Sequence, residues 1–275
     1  MEIIPLTGGL GAEIFGVDLK QDAHFAEIQA AFARYSVISI RSQTLSPDDH
    51  LAFARRWGEI NVNRFFTALD THPEIAIVVK EADQKGAIGE NWHTDHAYDT
   101  VPAMGSILYA IETPPYGGDT VFCSMGAAYD ALSDRFKTLL GGLNAWHSSR
   151  HVFGATQSNA ETSKTGRIGN ADAATQDALH PMVIKHPLSG RSGLFVNPQF
   201  TTQIDGLSKS ESDAILQMLY THCQKPEFQC RVRWRDGDLT MWDNRATWHK
   251  AINDYHGHRR YMHRVTVEGV PLEAA

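Results

Sequence analysis

Apolar residues in this chain gather mostly in short runs bounded by glycine, proline and polar clusters, which is the pattern of strands rather than helices. From residue 75 onward the runs 75–79, 105–111, 120–123, 182–185, 194–196, 228–234, 239–242 and 261–267 read as strands. About eight strands over that length predict a sandwich or barrel, a mainly β fold with helices packed against it. Upstream, Ile3-Ile4-Pro5-Leu6 and the stretch 10–17 read as short strands broken by glycine turns. Phe25, Ile28 and Phe32 then recur at helical spacing, and 37–40 reads as a buried strand. Ser46 is a natural N-cap, with Pro47 at the first helical position and Asp48 and Asp49 at the positive end of the dipole. Leu51, Phe53 and Ala54 give that helix its apolar face, and it should end near Gly58. Two more helices are expected at 127–140 and 209–223, the second with Ala214, Ile215, Met218 and Leu219 on one face. Residues 154–176 lack apolar periodicity and read as a long loop of the kind that serves as a mobile lid. With no repeat and no linker, residues 1–275 read as a single domain.

Charge narrows the function. Lys+Arg 25 against Asp+Glu 32 gives −7, and no long basic run is present, so a nucleic-acid partner is not expected. No segment is apolar for long enough to span a membrane, and the start Met1-Glu2-Ile3-Ile4-Pro5 lacks an export pattern, which points to the cytoplasm. Cys123, Cys223 and Cys230 form no CxxC pair, so neither a disulfide framework nor a cysteine zinc site is indicated. The count of 14 His is roughly double ordinary abundance and directs attention to metal and acid–base chemistry.

In Trp92-His93-Thr94-Asp95-His96, an extended chain would turn His93 and Asp95 to the same side, where both could reach one ion. An imidazole and a carboxylate are two of the three ligands of the facial triad that binds non-haem Fe(II). Taken alone, such a pair more often marks a solvated loop, and about one is expected by chance in a chain of this size. His249, after a strand that ends in a polar turn, is the best candidate for a third ligand; its plain reading is a surface-loop histidine. Beyond it, period two puts Arg260, Met262 and Arg264 on one strand face. If that face is interior, the guanidiniums need anionic partners, and a dicarboxylate cosubstrate would supply one; otherwise they form an exposed basic face. His147, His151, His180, His186 and His222 show no ligand spacing and read as satisfied or solvated, and Cys123 as a core strand residue.

Taken in order, Trp92-His93-Thr94-Asp95, Gly117-Gly118-Asp119-Thr120 and Trp242-Asp243-Asn244-Arg245 with His249, followed by Arg260 and Arg264, resemble the taurine dioxygenase and 2,4-dichlorophenoxyacetate dioxygenase family. These are Fe(II)- and 2-oxoglutarate-dependent oxygenases. The resemblance runs from Ile4 to Val270 and implies a double-stranded β-helix, or jelly roll, with helices outside it. It implies that His93, Asp95 and His249 hold the iron and form the catalytic centre, and that Thr120 and Arg260 bind the distal carboxylate of 2-oxoglutarate. Arg264 matches an arginine lying beside both the cosubstrate and the substrate anion. The implied reaction couples oxidative decarboxylation of 2-oxoglutarate by O₂, giving succinate and CO₂, to hydroxylation of a substrate C–H. Hydroxylation next to an ether oxygen or a sulfonate would fragment the product. Halogenating relatives replace the carboxylate ligand by a small residue, so Asp95 argues against halogenation.

The segments around 80–83, 117–120 and 152–154 resemble the phenoxypropionate-cleaving branch, and the positions where taurine-acting members carry a histidine and a tyrosine hold Asn63 and Phe66. The expected substrate is therefore a small organic anion, preferably an apolar or aromatic carboxylate, with alkyl sulfonates and sulfate esters as the alternative. Asn63, Phe66, His96, Tyr98 and Arg264 are the candidate substrate contacts, with Phe65 and Phe153 as further candidate walls. Family resemblance also implies a homo-oligomer, dimer or tetramer. Two other readings share part of the pattern. A cupin-like barrel holding metal without turnover would share the ligand triad but has no reason to keep Thr120 and Arg260. A nucleic-acid demethylase would need a basic groove, which the net charge disfavours.

Overall fold

In the computed structural model, which describes residues 1–154 and 166–275, the described residues form four β-sheets, two of which face each other across the core, with helices packed outside them. The larger sheet runs β1 (Glu2–Pro5), β2 (Ala12–Phe15), β3 (Val37–Ile40), β15 (Leu239–Asp243), β7 (Gly105–Glu112), β17 (Arg260–Val267), β6 (His72–Lys80), β5 (Ala68–Leu69), with β4 (Ile60–Asn61) also pairing β17. All its pairs are antiparallel except β2 with β3. A smaller sheet, β14 (Gln229–Val232), β8 (Thr120–Ser124), β16 (Thr247–Ala251), faces it. This is the mainly β jelly-roll arrangement expected from the sequence.

Alternation along the strands sorts the side chains into layers. On β7, Ile107 and Tyr109 turn outward and Leu108 and Ala110 inward; on β15, Leu239 and Met241 turn outward and Trp242 inward. The outward set is covered by α1 (Phe25–Tyr35) and α2 (Pro47–Arg55) through Ile28, Phe32, Leu51 and Phe53. The inward set meets Phe122 of β8 and Val232 of β14 across the roll. On the far side of the smaller sheet, Cys123 and Trp248 are covered by α5 (Lys209–Cys223) through Leu216 and Leu219. All three cysteines are buried and unbridged.

Several expectations change in detail. Ser46 caps α2 in a reciprocal capping box with Asp49, as its residues require, but the helix ends at Arg55 rather than near Gly58. The helix expected over 127–140 is two, α3 (Met125–Asp130) and α4 (Asp134–Leu140), because Ser133 opens a new one by accepting from the Phe136 N–H. The strand expected at 194–196 is β12 (Ser192–Leu194), paired with β11 (Val183–Lys185). β9 (Asn144–Ser148), β10 (Asp177–Pro181) and β13 (Thr201–Ile204) form a sheet that the reading did not anticipate. Of the expected loop 154–176, residues 155–165 lie outside the described residues. The remainder is anchored at three points: Arg167, Ile168 and Ala174 are buried, and Ile168 bridges to Phe66.

Candidate active site

The first two candidate ligands reach the third because their backbones are tied together. His93 donates its N–H to the His249 carbonyl at 3.1 Å, and His249 donates back to the His93 carbonyl at 2.8 Å. Thr94 Oγ1 fastens the next residue to the Thr247 carbonyl at 2.8 Å. His249 therefore lies within strand β16 and not in the turn the sequence suggested, and strand parity sends Trp248 outward and His249 inward. The chain bridges at His93 and turns from Asp95 onward.

His93 Nε2 lies 3.6 Å from Asp95 Oδ1 and His249 Nε2 3.8 Å from Asp95 Oδ2, with all three ligating atoms within 4.8 Å of one another. His93 Nδ1–H donates to the Asn91 carbonyl at 2.7 Å, which leaves Nε2 as the free lone pair. Burial lowers the pKa of His93 and of His249 and keeps both rings neutral. Burial pushes the Asp95 carboxyl up, but the Arg264 guanidinium beside it leads the opposing charges and holds the group well below the usual carboxylate range. Ser106 Oγ donates to Asp95 Oδ2 at 2.9 Å, and Arg264 Nη1 stands 3.5 Å from Oδ1. Two neutral imidazoles and one anion on one side of a cavity fit a divalent cation of the non-haem Fe(II) type and leave the other side open.

These ligands open onto a cavity of about 390 Å³ that also collects Thr120, Arg260, Arg264, Asn63, Phe66, His96, Tyr98 and Phe153. Arg260, Met262 and Arg264 share the interior face of β17, as period two requires, and all three are buried. Burial also lowers the Arg260 pKa, against the pull of Tyr255 and Asp119. Neither Arg260 Nε nor Arg264 Nε has a hydrogen-bond partner among the described residues. The Arg264 guanidinium lies over the Phe66 ring, 4.3 Å from its centroid. Asn63 spends its Oδ1 on the backbone N–H groups of Phe65 and Phe66, at 2.9 and 3.0 Å. Of the candidate walls, Phe65 does not line the cavity: it lies beneath Phe153, with ring centroids 4.2 Å apart.

The reading of the sequence did not find the residues that hold these groups. Asp99 accepts from His96 Nδ1 at 2.8 Å and from Arg64 Nη1 at 2.8 Å, while His96 Nε2 is buried, unpartnered and at the cavity wall. His96 also has φ 59, a left-handed conformation uncommon for a side-chain-bearing residue. The spacing His96-x-x-Asp99 was the available signal. Trp234, by contrast, sits 114 residues from Thr120 in sequence, and only the fold brings its indole Nε1 to 3.0 Å from Thr120 Oγ1. The histidines read as ordinary are held within the fold: His186 Nε2 lies 3.0 Å from Asp243 Oδ2, His180 Nε2 2.9 Å from the Asp99 carbonyl, and His222 Nε2 2.8 Å from the Ala128 carbonyl.

The model of the family described as "Taurine catabolism dioxygenase TauD, TfdA family" matches residues 2–266. An alpha-ketoglutarate-dependent sulfate ester dioxygenase of Pseudomonas putida is 33% identical over 99% of this chain and 91% of its own. An (S)-phenoxypropionate/alpha-ketoglutarate-dioxygenase of Sphingobium herbicidovorans is 31% identical over 98% of this chain and 96% of its own. The crystal structure of a taurine dioxygenase from Burkholderia xenovorans superposes with a TM-score of 0.84 at 31% identity, covering 99% of this chain and 92% of that one. With that coverage in sequence and in fold, the chain belongs to the TauD, TfdA family and is an alpha-ketoglutarate-dependent dioxygenase that uses Fe(II), 2-oxoglutarate and O₂.

Proposed function

We propose that this oxygenase, working as one domain over residues 1–275, hydroxylates a small organic anion with an apolar body, preferably an apolar or aromatic carboxylate. The observation that carries this reading is the composition of the cavity wall. Phe66, Tyr98, Leu108, Phe153, Ile168 and Phe200 give an otherwise polar cavity an apolar, aromatic-rich stretch of wall, and the Arg264 guanidinium lies over the Phe66 ring at its edge. An aryl or alkyl body would lie along the first and a single anionic group would face the second.

In this reading His93, Asp95 and His249 hold Fe(II), and Thr120 and Arg260 take the distal carboxylate of 2-oxoglutarate. Bound Fe(II), with 2-oxoglutarate and O₂, supplies the oxidation that ends in hydroxylated product, succinate and CO₂. The protein's own residues do the positioning. Arg264 keeps Asp95 anionic and also lines the cavity, its Nε without a hydrogen-bond partner among the described residues. Asp99, itself paired with Arg64, holds the His96 ring at the cavity wall, and Asn63 has only its amide N–H groups left to offer. Phe153 and Phe200 line the cavity, and Phe65 backs Phe153 from outside it. Where the targeted C–H adjoins an ether oxygen, the hydroxylated product would fragment. Self-association as a dimer or tetramer completes the proposal.

A second reading, hydroxylation of a sulfate ester or alkyl sulfonate, is favoured by the sulfate ester dioxygenase among the relatives. The two are separated by succinate release from Fe(II)-loaded protein with 2-oxoglutarate, using aryl or alkyl carboxylates and sulfate esters matched in bulk. Stimulation by the carboxylates supports the preferred reading. Stimulation by the sulfate esters alone would replace it with the second, and stimulation by neither would reject a small organic anion.

A further inference from the structure

Trp234 makes a pair of contacts that no substrate-facing role explains. Its indole Nε1–H reaches Thr120 Oγ1 at 3.0 Å, and the Arg260 guanidinium carbon lies 5.4 Å from its ring centroid. All three side chains are buried: Trp234 is 5% exposed, Thr120 4% and Arg260 6%. One indole thus touches both residues assigned above to the distal carboxylate of 2-oxoglutarate, and the inference rests on that assignment. An indole N–H can only donate, so Thr120 Oγ1 must be the acceptor. That bond occupies one hydroxyl lone pair and leaves the hydroxyl proton pointing elsewhere; no acceptor among the described residues takes it. Thr120 also lines the cavity, so the proton is available to an entering carboxylate. The ring, for its part, faces a buried guanidinium whose Nε has no partner.

We propose that Trp234 is a positioning residue for cosubstrate binding, its N–H holding the Thr120 hydroxyl in the donor orientation and its ring supporting Arg260. The indole is itself fixed by packing in the inner apolar layer with Cys230 and Val232 of β14. Free of that bond, the Thr120 hydroxyl would rotate among acceptors, and the carboxylate would have to select the donating rotamer.

The test is anaerobic titration of 2-oxoglutarate into Fe(II)-loaded protein, followed by the visible charge-transfer band of a keto acid chelated to ferrous iron. Trp234→Phe keeps a ring beneath Arg260 and removes the N–H. It should weaken 2-oxoglutarate binding roughly three- to tenfold, the scale of one oriented hydrogen bond, without changing Fe(II) affinity. Thr120→Ala should weaken it at least as much, and Trp234→Phe added to Thr120→Ala should cause no further loss. An equal further loss in the double variant would mark a general packing role and overturn the proposal, as would unchanged binding in Trp234→Phe. Unchanged binding in Thr120→Ala would instead overturn the carboxylate assignment, and the proposal with it. Thr120→Ser leaves the indole intact and serves if Trp234→Phe does not fold. With Trp234 directing the serine hydroxyl, affinity should stay within about twofold of the parent, and a loss as large as that of Thr120→Ala would contradict the proposal.

Discussion

At the scale of single residues, burial acts in opposite senses on neighbouring groups of the site. It drives protons off His93 and His249, which frees the imidazole lone pairs, and it would drive one onto Asp95 were Arg264 not beside the carboxylate. Removing His249 should therefore abolish stable Fe(II) binding, measured by calorimetry under argon, and retained affinity in His249→Ala would remove it from the ligand set. Arg260→Ala should leave Fe(II) affinity unchanged and weaken 2-oxoglutarate by about a hundredfold, the scale of a lost charge-assisted bond of ~2–3 kcal/mol. Equal loss of metal and cosubstrate affinity would contradict that division of labour. The sequence made His93, Asp95, His249, Thr120, Arg260 and Arg264 legible because order and spacing carry them. Asp99, Arg64, Ser106 and Trp234 act through partners that only folding brings together, with the exception of the short His96 to Asp99 spacing.

At the scale of elements, parity along the strand does most of the placing. Arg260, Met262 and Arg264 could be assigned to one face from the sequence because β17 is long and regular over them; a register shift against β7 falls between Tyr261 and Met262 without changing which of them point inward. The same reasoning missed β16, whose five residues Thr247-Trp248-His249-Lys250-Ala251 hold neither an apolar run nor a clean alternation to stand out beside a turn. Their strand conformation comes from pairing with β8, where His249 sits opposite Phe122. The helix break at Ser133 was likewise hidden under a continuous apolar period. One close approach gives a direct test of the larger sheet. A Cβ at Gly105 would stand 2.6 Å from the Trp242 carbonyl oxygen across the β7–β15 pair, and backbone cannot yield as a side chain can. Gly105→Ala should lower unfolding stability by ~1–3 kcal/mol in a denaturant titration, and a change within 0.5 kcal/mol, roughly that of an ordinary surface substitution, would show that the pair accommodates the methyl group.

At the scale of the whole molecule, two sheets close face to face and the reactive groups sit where their inner faces meet, with apolar layers and helices outside. Several titratable groups are sealed in that interior away from the site. Burial lowers the pKa of His50 and of His147 to about 3. Because the unfolded chain binds these protons near pH 6.5 and the folded one does not, the stability they contribute is present above that pH. It is lost as pH falls toward 3, by ~1.4 kcal/mol per pH unit for each group. His50→Leu should flatten the slope of unfolding free energy between pH 6.5 and 4 by about one such increment, and an unchanged slope would show that His50 does not remain neutral. No helix among the described residues is long and apolar enough to cross a membrane. The measurement closest to the central claim is anaerobic addition of Fe(II) and 2-oxoglutarate to the metal-free protein. The account predicts a visible metal-to-ligand charge-transfer band that is lost in Asp95→Ala and weakened in Arg260→Ala. Iron bound with no band at saturating 2-oxoglutarate would contradict it and leave a barrel that holds metal without the cosubstrate.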